Sequence, residues 1–231
     1  MGRFFILLVT LVAPFFCKTV WSADHITVRN FIISSHLAQM DEKAVLIIGD
    51  SIIESWIGGS LGNCRTLNAG LGGGGVQAVI TLLHNLNKTA DRSKIIGVVV
   101  AIGVNDTVRK DIQPTYIDKW KDDYTELVDI ALQLSRSVAV STILPVEDDM
   151  PLGTKYFDPG LIEQFNKTIR QVAKSKSIRV IEADKAIGNL KKKGHFTVDG
   201  VHLTSDAYKI FSKELQYGLP SHCNSDSGFE K

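Results

Sequence analysis

The fold is decided by residues 44–51, which read AVLIIGDS. The apolar part of this segment is continuous rather than alternating, and such a run is typical of a strand that is buried on both faces of a sheet. Residues 95–102 form a second continuous run, which ends at Gly103. Shorter apolar runs occupy residues 65–67, 138–144 and 178–181. We therefore predict five strands, most of them buried.

Amphipathic helical patterns lie between the predicted strands, at residues 76–86, 116–134, 161–174 and 205–215. Regular alternation of strands and helices predicts a parallel sheet with right-handed crossovers. The expected fold is a three-layer α/β/α arrangement around a parallel, flavodoxin-like five-stranded sheet. We expect one domain at residues 23–231, with a core at about residues 44–215 and a polar C-terminal tail at residues 220–231.

The N-terminal segment has the pattern of a secretory signal peptide. A positive charge precedes an apolar run of 13 residues at 4–16, which is short for a membrane span. Val20 and Ser22 occupy the −3 and −1 positions of a cleavage site before Ala23. We expect residues 1–22 to be removed and the protein to be secreted or periplasmic, without a stable membrane span. The alternative is an uncleaved N-terminal anchor.

The charge and composition of the chain disfavour nucleic acid as a partner. The 231 residues are 44% hydrophobic and 22% charged, which is typical of a folded domain. Loss of Arg3 and Lys18 with the leader leaves 24 basic against 25 acidic residues, a net charge of −1. Nucleic acid is therefore not an expected partner, because its binding depends on clustered basic residues. The sequence does not indicate an oligomeric state.

Two cysteines, Cys64 and Cys223, remain after the predicted cleavage. Their even number and the oxidising destination favour a disulfide bond between them. The alternative is two separate thiols. Neither cysteine belongs to a CxxC motif or to a Cys/His cluster with the spacing of a zinc site, so we expect no metal and no cofactor.

Polar turns follow three of the predicted strands, and a fourth precedes the last predicted helix. They are residues 49–51, 68–75, 103–106 and 199–204. Ligands of an open α/β sheet bind outside the carboxyl ends of the strands, so we expect these turns to converge on one edge. Together they supply a candidate nucleophilic hydroxyl group, an imidazole base, a carboxylate to orient the base, and amide donors.

These four turns resemble the sequence blocks of the SGNH, or GDSL-type, hydrolase family, and they occur in the family's order. The resemblance implies that Ser51 is the nucleophile and that Asp199 and His202 complete the catalytic set. It also implies an oxyanion hole formed by the backbone N–H groups of Ser51 and Gly73 and by the side-chain amide of Asn105.

The resemblance implies a serine esterase that hydrolyses short-chain acyl esters through an acyl-enzyme intermediate. Its substrates would be small-molecule or carbohydrate esters, O-acetyl carbohydrate among them. An O-acyltransferase of the same fold is an alternative, because both enzymes share acyl-enzyme chemistry. A second alternative is a nucleotide-binding module that uses the loop Gly70–Gly75, because this loop matches the dinucleotide-binding fingerprint GxGxxG. The loop follows the second predicted strand rather than the first, which disfavours this alternative.

Other polar residues near these turns have simpler interpretations. We interpret Asp50 as a turn-stabilising residue and Asp106 as a helix cap or loop anchor. His195 is expected in a surface loop, and residues 147–149 are expected in a solvated loop. Gly74 stands where family members often carry Asp, so we expect this glycine-rich loop to be more mobile.

Overall fold

The computed structural model describes residues 24–108 and 115–224, and there the chain forms a mostly parallel sheet of six strands. The strands are β1 (Ala44–Gly49), β2 (Ser60–Leu61), β3 (Cys64–Gly70), β4 (Ile95–Ala101), β5 (Val138–Ser141) and β6 (Arg179–Ile181). Their order across the sheet is β2-β3-β1-β4-β5-β6. The five parallel strands, counted among themselves, follow the order 2-1-3-4-5 of flavodoxin-like sheets. The predicted fold class is confirmed.

The sheet has one strand more than the five predicted, and the additional strand is β2. Ser60 and Leu61 pair antiparallel with the first two residues of β3, across a turn made by Gly62 and Asn63. A strand of two residues has no hydrophobic periodicity, so no sequence pattern could reveal it.

The α-helices of the described residues include all four that the sequence predicts. The α-helices of the described residues are α1 (His25–Gln39), α2 (Ser51–Glu54), α3 (Val76–Thr89), α4 (Tyr116–Leu134), α5 (Gly153–Tyr156), α6 (Pro159–Ser175), α7 (Ala183–Gly188) and α8 (Ser205–Tyr217). Helices α3, α4, α6 and α8 are the predicted ones. Helix α1 was not predicted because it buries only Ile33 and Leu37, and α2, α5 and α7 are too short to show a helical period.

The helices form two layers around the sheet. Right-handed crossovers place α3, α4 and α6 on one face, where α3 packs against α4 and α4 against α6. Helix α1 joins this layer beside α3 and β3. Helices α7 and α8 pack together on the other face, and α8 also contacts β2 and β6. The apolar sheet is thereby covered on both sides, as its continuous apolar strands predict.

Strand β1 lies at the centre of the sheet, and all six of its residues are buried. Its last residue, Gly49, is in register with Gly70 of β3 and Ala101 of β4. A Cβ atom at Gly49 would lie 2.4 Å from the carbonyl oxygen of Ala101, so no larger residue fits. The three strands end at the same level, and the turns that follow them therefore leave from one edge.

A disulfide bond joins Cys64 at the start of β3 to Cys223 after α8, with the two Cα atoms 5.1 Å apart. The N–H of Asn63 donates to the carbonyl oxygen of Cys223 at 2.8 Å. Of the predicted polar tail, Ser221–Cys223 forms a 3-10 turn, and residues 225–231 lie outside the described residues.

The predicted signal peptide at residues 1–22 also lies outside the described residues. Within residues 24–108 and 115–224, no helix combines the length and the hydropathy that a membrane span requires.

Candidate active site

Ser51 begins helix α2, and only Asp50 separates it from the end of the buried strand β1. Asp50 caps this helix, since its Oδ1 accepts the N–H of Ile52 at 2.9 Å. Asp50 is only 2% exposed, and burial raises the pKa of its carboxyl group to about 7. The interpretation of Asp50 as a turn-stabilising residue is confirmed, and its hydrogen bond holds the turn that presents Ser51.

Ser51, His202 and Asp199 form a continuous chain of hydrogen bonds. Ser51 Oγ lies 2.8 Å from His202 Nε2, and His202 Nδ1 lies 2.6 Å from Asp199 Oδ2. Asp199 Oδ1 also accepts the backbone N–H groups of Val201 and His202, at 3.0 and 2.9 Å. Partial burial alone would raise the pKa of the Asp199 carboxyl group, but the hydrogen bonds from His202 and Val201 hold it below its ordinary value. The group that faces the imidazole is therefore a carboxylate at neutral pH.

Gly73 and Asn105 lie on the loops that follow the two strands beside β1. Gly73 has a φ of +74°, a left-handed conformation that glycine adopts without strain. Among the described residues, no acceptor takes the Gly73 N–H. The Asn105 amide donates to the carbonyl oxygen of Gly74 at 2.9 Å and keeps a second N–H. The two loops thus bring amide donors to the edge of the sheet that carries Ser51.

Asp106 joins these two loops. Its carboxylate oxygens lie 3.1 and 3.4 Å from the N–H of Val76, the first residue of α3. The Tyr116 hydroxyl donates to the Asp106 carbonyl oxygen at 2.7 Å. The interpretation of Asp106 as a helix cap or loop anchor is confirmed, and the helix it caps follows the neighbouring loop.

Of residues 147–149, for which we predict a solvated loop, Asp148 and Asp149 are exposed, but Glu147 is buried and only 4% exposed, so the prediction is wrong for this residue. Its carboxylate accepts the backbone N–H groups of Phe196 and Thr197 at 3.2 and 2.8 Å, together with the Thr197 hydroxyl. The Thr197 hydroxyl oxygen in turn accepts the N–H of Gly200 at 3.0 Å. Glu147 therefore holds the chain that leads into the imidazole turn. Sequence reasoning missed this role because the donors lie about 50 positions away.

His195 approaches the same carboxylate from the solvent side. Its Nδ1 lies 3.2 Å from Glu147 Oε1, and its side chain is 66% exposed. The prediction of a histidine at the surface is confirmed.

One group of potential metal ligands in the described residues lies at the disulfide. Cys64, His222 and Cys223 place one ligand atom each within 4.8 Å of one another. The two sulfur atoms are bonded to each other, so neither is a thiolate that could hold zinc.

Residues 47–210 match a family model described as the GDSL-like Lipase/Acylhydrolase family. Among curated proteins, no match was found. Solved structures do match. A protein of Streptococcus pneumonia has a TM-score of 0.69 at 21% identity, over 84% of this chain and 93% of that one.

Two further solved structures carry descriptions of activity. A GDSL-like lipase from Bacteroides thetaiotaomicron has a TM-score of 0.64 at 20% identity, over 84% of this chain and 97% of that one. An acetylxylan esterase from Geobacillus stearothermophilus has a TM-score of 0.57 at 17% identity, over 78% of this chain and 96% of that one. At these identities, the likeness shows the shared fold.

Proposed function

Because the chain belongs to the GDSL-like lipase/acylhydrolase family, we propose that it is a serine esterase that hydrolyses short-chain acyl esters. The observation that carries the proposal is the chain of hydrogen bonds from Ser51 through His202 to Asp199. A serine hydroxyl is a weak nucleophile at neutral pH, and an imidazole within hydrogen-bond distance removes its proton as attack begins.

In the acylation step, Ser51 Oγ attacks the ester carbonyl carbon while its proton passes to His202 Nε2. The Asp199 carboxylate accepts the Nδ1 hydrogen, which keeps Nε2 as the proton acceptor and stabilises the imidazolium that forms. The backbone N–H groups of Ser51 and Gly73 and the Asn105 amide stabilise the oxyanion. His202 then gives its proton to the leaving alkoxide as the carbon–oxygen bond breaks, and the acyl group stays on Ser51.

In the deacylation step, His202 takes a proton from water as the water oxygen attacks the acyl carbon. Collapse of the second tetrahedral intermediate releases the acid, and Ser51 Oγ recovers its proton from His202. A sugar hydroxyl in place of water would transfer the acyl group instead. The O-acyltransferase alternative therefore uses the same residues and differs only in the acceptor.

O-Acetylated carbohydrates belong in the proposed substrate class. The acetylxylan esterase from Geobacillus stearothermophilus shares the fold of this chain. The sequence contains no large apolar insertion that would form a lid over long acyl chains, which favours small acyl groups.

The glycine-rich loop does not favour the nucleotide-binding alternative. The Glu54 carboxylate already accepts the N–H of Gly72 at 2.5 Å. A phosphate group needs such N–H groups for itself.

A secreted or periplasmic location is part of the proposal. It is supported by the leader pattern at residues 1–22 and by the disulfide bond between Cys64 and Cys223, since such bonds persist in oxidising compartments.

The test is hydrolysis of p-nitrophenyl acetate and of acetylated xylan by the wild-type protein and by Ser51→Ala. We expect wild-type hydrolysis that EDTA does not reduce, and loss of both hydrolysis and covalent labelling by a serine-directed phosphonate in Ser51→Ala. Ser60→Ala, at an exposed position on β2, is the matched control and should behave as wild type. Normal turnover by Ser51→Ala would contradict the proposed mechanism. A sugar acceptor that captures the acyl group in preference to water would assign the acyltransferase instead.

A further inference from the structure

Helix α2 carries a second polar side chain, Glu54, which binds the loop of the proposed oxyanion donor Gly73. Glu54 lies three residues after Ser51, and its carboxylate accepts the backbone N–H of Gly72 at 2.5 Å. Gly72 directly precedes Gly73, whose N–H is a proposed oxyanion donor. The same short helix therefore holds the nucleophile and a carboxylate bound to the oxyanion loop.

Two residues of helix α1 contact the Glu54 carboxylate. His25 Nε2 lies 2.9 Å from the Glu54 carboxylate, and Arg29 Nε lies 3.5 Å from Glu54 Oε1. The Arg29 Nε also donates to the carbonyl oxygen of Gly70 at 3.1 Å. The loop is thus bound at the Gly70 carbonyl and at the Gly72 N–H by side chains that contact each other.

These contacts connect all three proposed oxyanion donors. Glu54 links the helix of Ser51 to the residue before Gly73, and the Asn105 amide donates to the carbonyl oxygen of Gly74. Preorganised donors must point at the developing oxyanion, and a misplacement of about 1 Å can cost about 10²-fold in rate. Gly74 itself has no side chain to orient the loop.

We propose that Glu54 is a positioning residue that aligns the Gly73 N–H with the oxyanion hole, and that Arg29 and His25 of α1 hold Glu54 in place. The inference rests on the proposed function, because it requires an oxyanion to be stabilised. It goes beyond that function by giving the N-terminal helix a part in turnover.

The experiment compares Glu54→Ala, Glu54→Gln and the control Glu42→Ala with p-nitrophenyl acetate as substrate. Glu42 forms an exposed ion pair with Arg65 at 3.1 Å, so its loss should leave kcat unchanged. Glu54→Ala should lower kcat about 10- to 100-fold with little change in KM, since the lost alignment acts on the transition state. Glu54→Gln keeps an acceptor oxygen for the Gly72 N–H and should recover most of the loss.

A double-mutant cycle with Asn105→Ala distinguishes alignment of the Gly73 N–H from a general effect of Glu54 on the stability of the protein. If Glu54 acts through the oxyanion hole, the combined loss in the double variant should be smaller than the product of the single losses. The pH profile of Glu54→Ala should match that of the wild type, because His202 still acts as the base. Should Glu54→Ala fail to fold, Arg29→Ala in the same cycle gives the same test, since it removes the donation to the Gly70 carbonyl oxygen.

Full kcat in Glu54→Ala, a fully multiplicative double variant, or equal losses in Glu54→Ala and Glu54→Gln would overturn the inference. Each of these results leaves the proposed function intact when Ser51→Ala is inactive. Activity that persists in Ser51→Ala would overturn the proposed function and the inference together.

Discussion

Asp50 places a carboxyl group in the protein interior one residue before the proposed nucleophile. Desolvation disfavours its ionised form, while the hydrogen bond from the Ile52 N–H partly offsets this effect, and the pKa rises to about 7. Burial of an acid next to Ser51 therefore makes the stability of the fold depend on pH.

Asp50→Asn should become more stable relative to the wild type as pH rises from 4 to 7. In the unfolded chain the Asp50 carboxyl ionises near its ordinary pKa of 3.8, whereas the folded chain retains the proton until about pH 7. Across this window the unfolded wild type releases a proton that the folded state keeps, so the wild type loses up to about 4 kcal/mol of stability. The Asn side chain keeps an oxygen for the Ile52 N–H.

Urea unfolding of both proteins at pH 4, 5, 6, 7 and 8 measures this difference. Asp199, whose pKa is lowered, also makes the free energy of unfolding depend on pH. This effect is present in both proteins and cancels when their free energies of unfolding are compared. A stability difference that stays constant across the range would contradict the buried acid.

Asn105→Ala should lower kcat about 10²- to 10³-fold, the usual cost of one oxyanion donor. The variant should keep the pH profile of the wild-type rate, since a donor and not a base is lost. Steady-state kinetics across pH give both results, with the exposed Asn85→Ala as control. A shifted profile in Asn105→Ala would argue against the donor role.

At the scale of elements, the segment that carries Asp199 and His202 is a turn closed by its own backbone, since the N–H of Val198 donates to the carbonyl oxygen of His202 at 2.8 Å. The buried Glu147 carboxylate and backbone pairs with the loop after β5 anchor this turn to the rest of the fold. In that loop the N–H groups of Glu147 and Leu152 donate to the carbonyl oxygens of Gly200 and Asp199, at 3.0 and 2.8 Å. The imidazole turn is therefore held by an element more than 40 residues earlier in the chain.

Glu147→Ala should lower the free energy of unfolding by more than about 2 kcal/mol, because it leaves buried N–H and O–H donors without acceptors. Amide hydrogen exchange at Phe196 and Thr197 should become faster, since both N–H groups lose their acceptor. Asp148→Ala removes an exposed neighbouring acid and should change the stability little. Unaltered exchange at these two amides would refute the anchoring role.

At the scale of the whole molecule, the disulfide bond closes a loop across most of the fold. Cys64 and Cys223 are 159 positions apart, so the chain-entropy model gives an upper value of about 5 kcal/mol of stabilisation. The double variant Cys64→Ser/Cys223→Ser should therefore melt at a lower temperature than the wild type.

Intact-mass measurement after alkylation of the denatured, unreduced protein tests the bond directly. No added alkyl group on Cys64 or Cys223 is the expected result. Two added groups would mean free thiols and would contradict the bond.

The parts of the fold and the site that were predictable from sequence are those with local signals. The apolar run of β1 predicts burial on both faces, and the amphipathic patterns of α3, α4, α6 and α8 predict helices close to their observed bounds. Ser51, Asn105 and His202 could be named because each belongs to a short motif that follows a strand or precedes a helix. The structural roles of Asp50 and Asp106 could be predicted because an Asp side chain tends to accept hydrogen bonds from backbone N–H groups in or next to its own turn.

The class of sheet and the identity of the polar turns follow from the amino-acid sequence, since hydrophobic period and turn chemistry act over a few residues. Which distant groups meet depends on how the whole chain folds. Glu54 accepts an N–H from a residue 18 positions away, and Glu147 accepts one from a residue 49 positions away. A carboxylate in sequence does not show whether it will be solvated or buried, because its environment consists of donors that the folded chain brings to it.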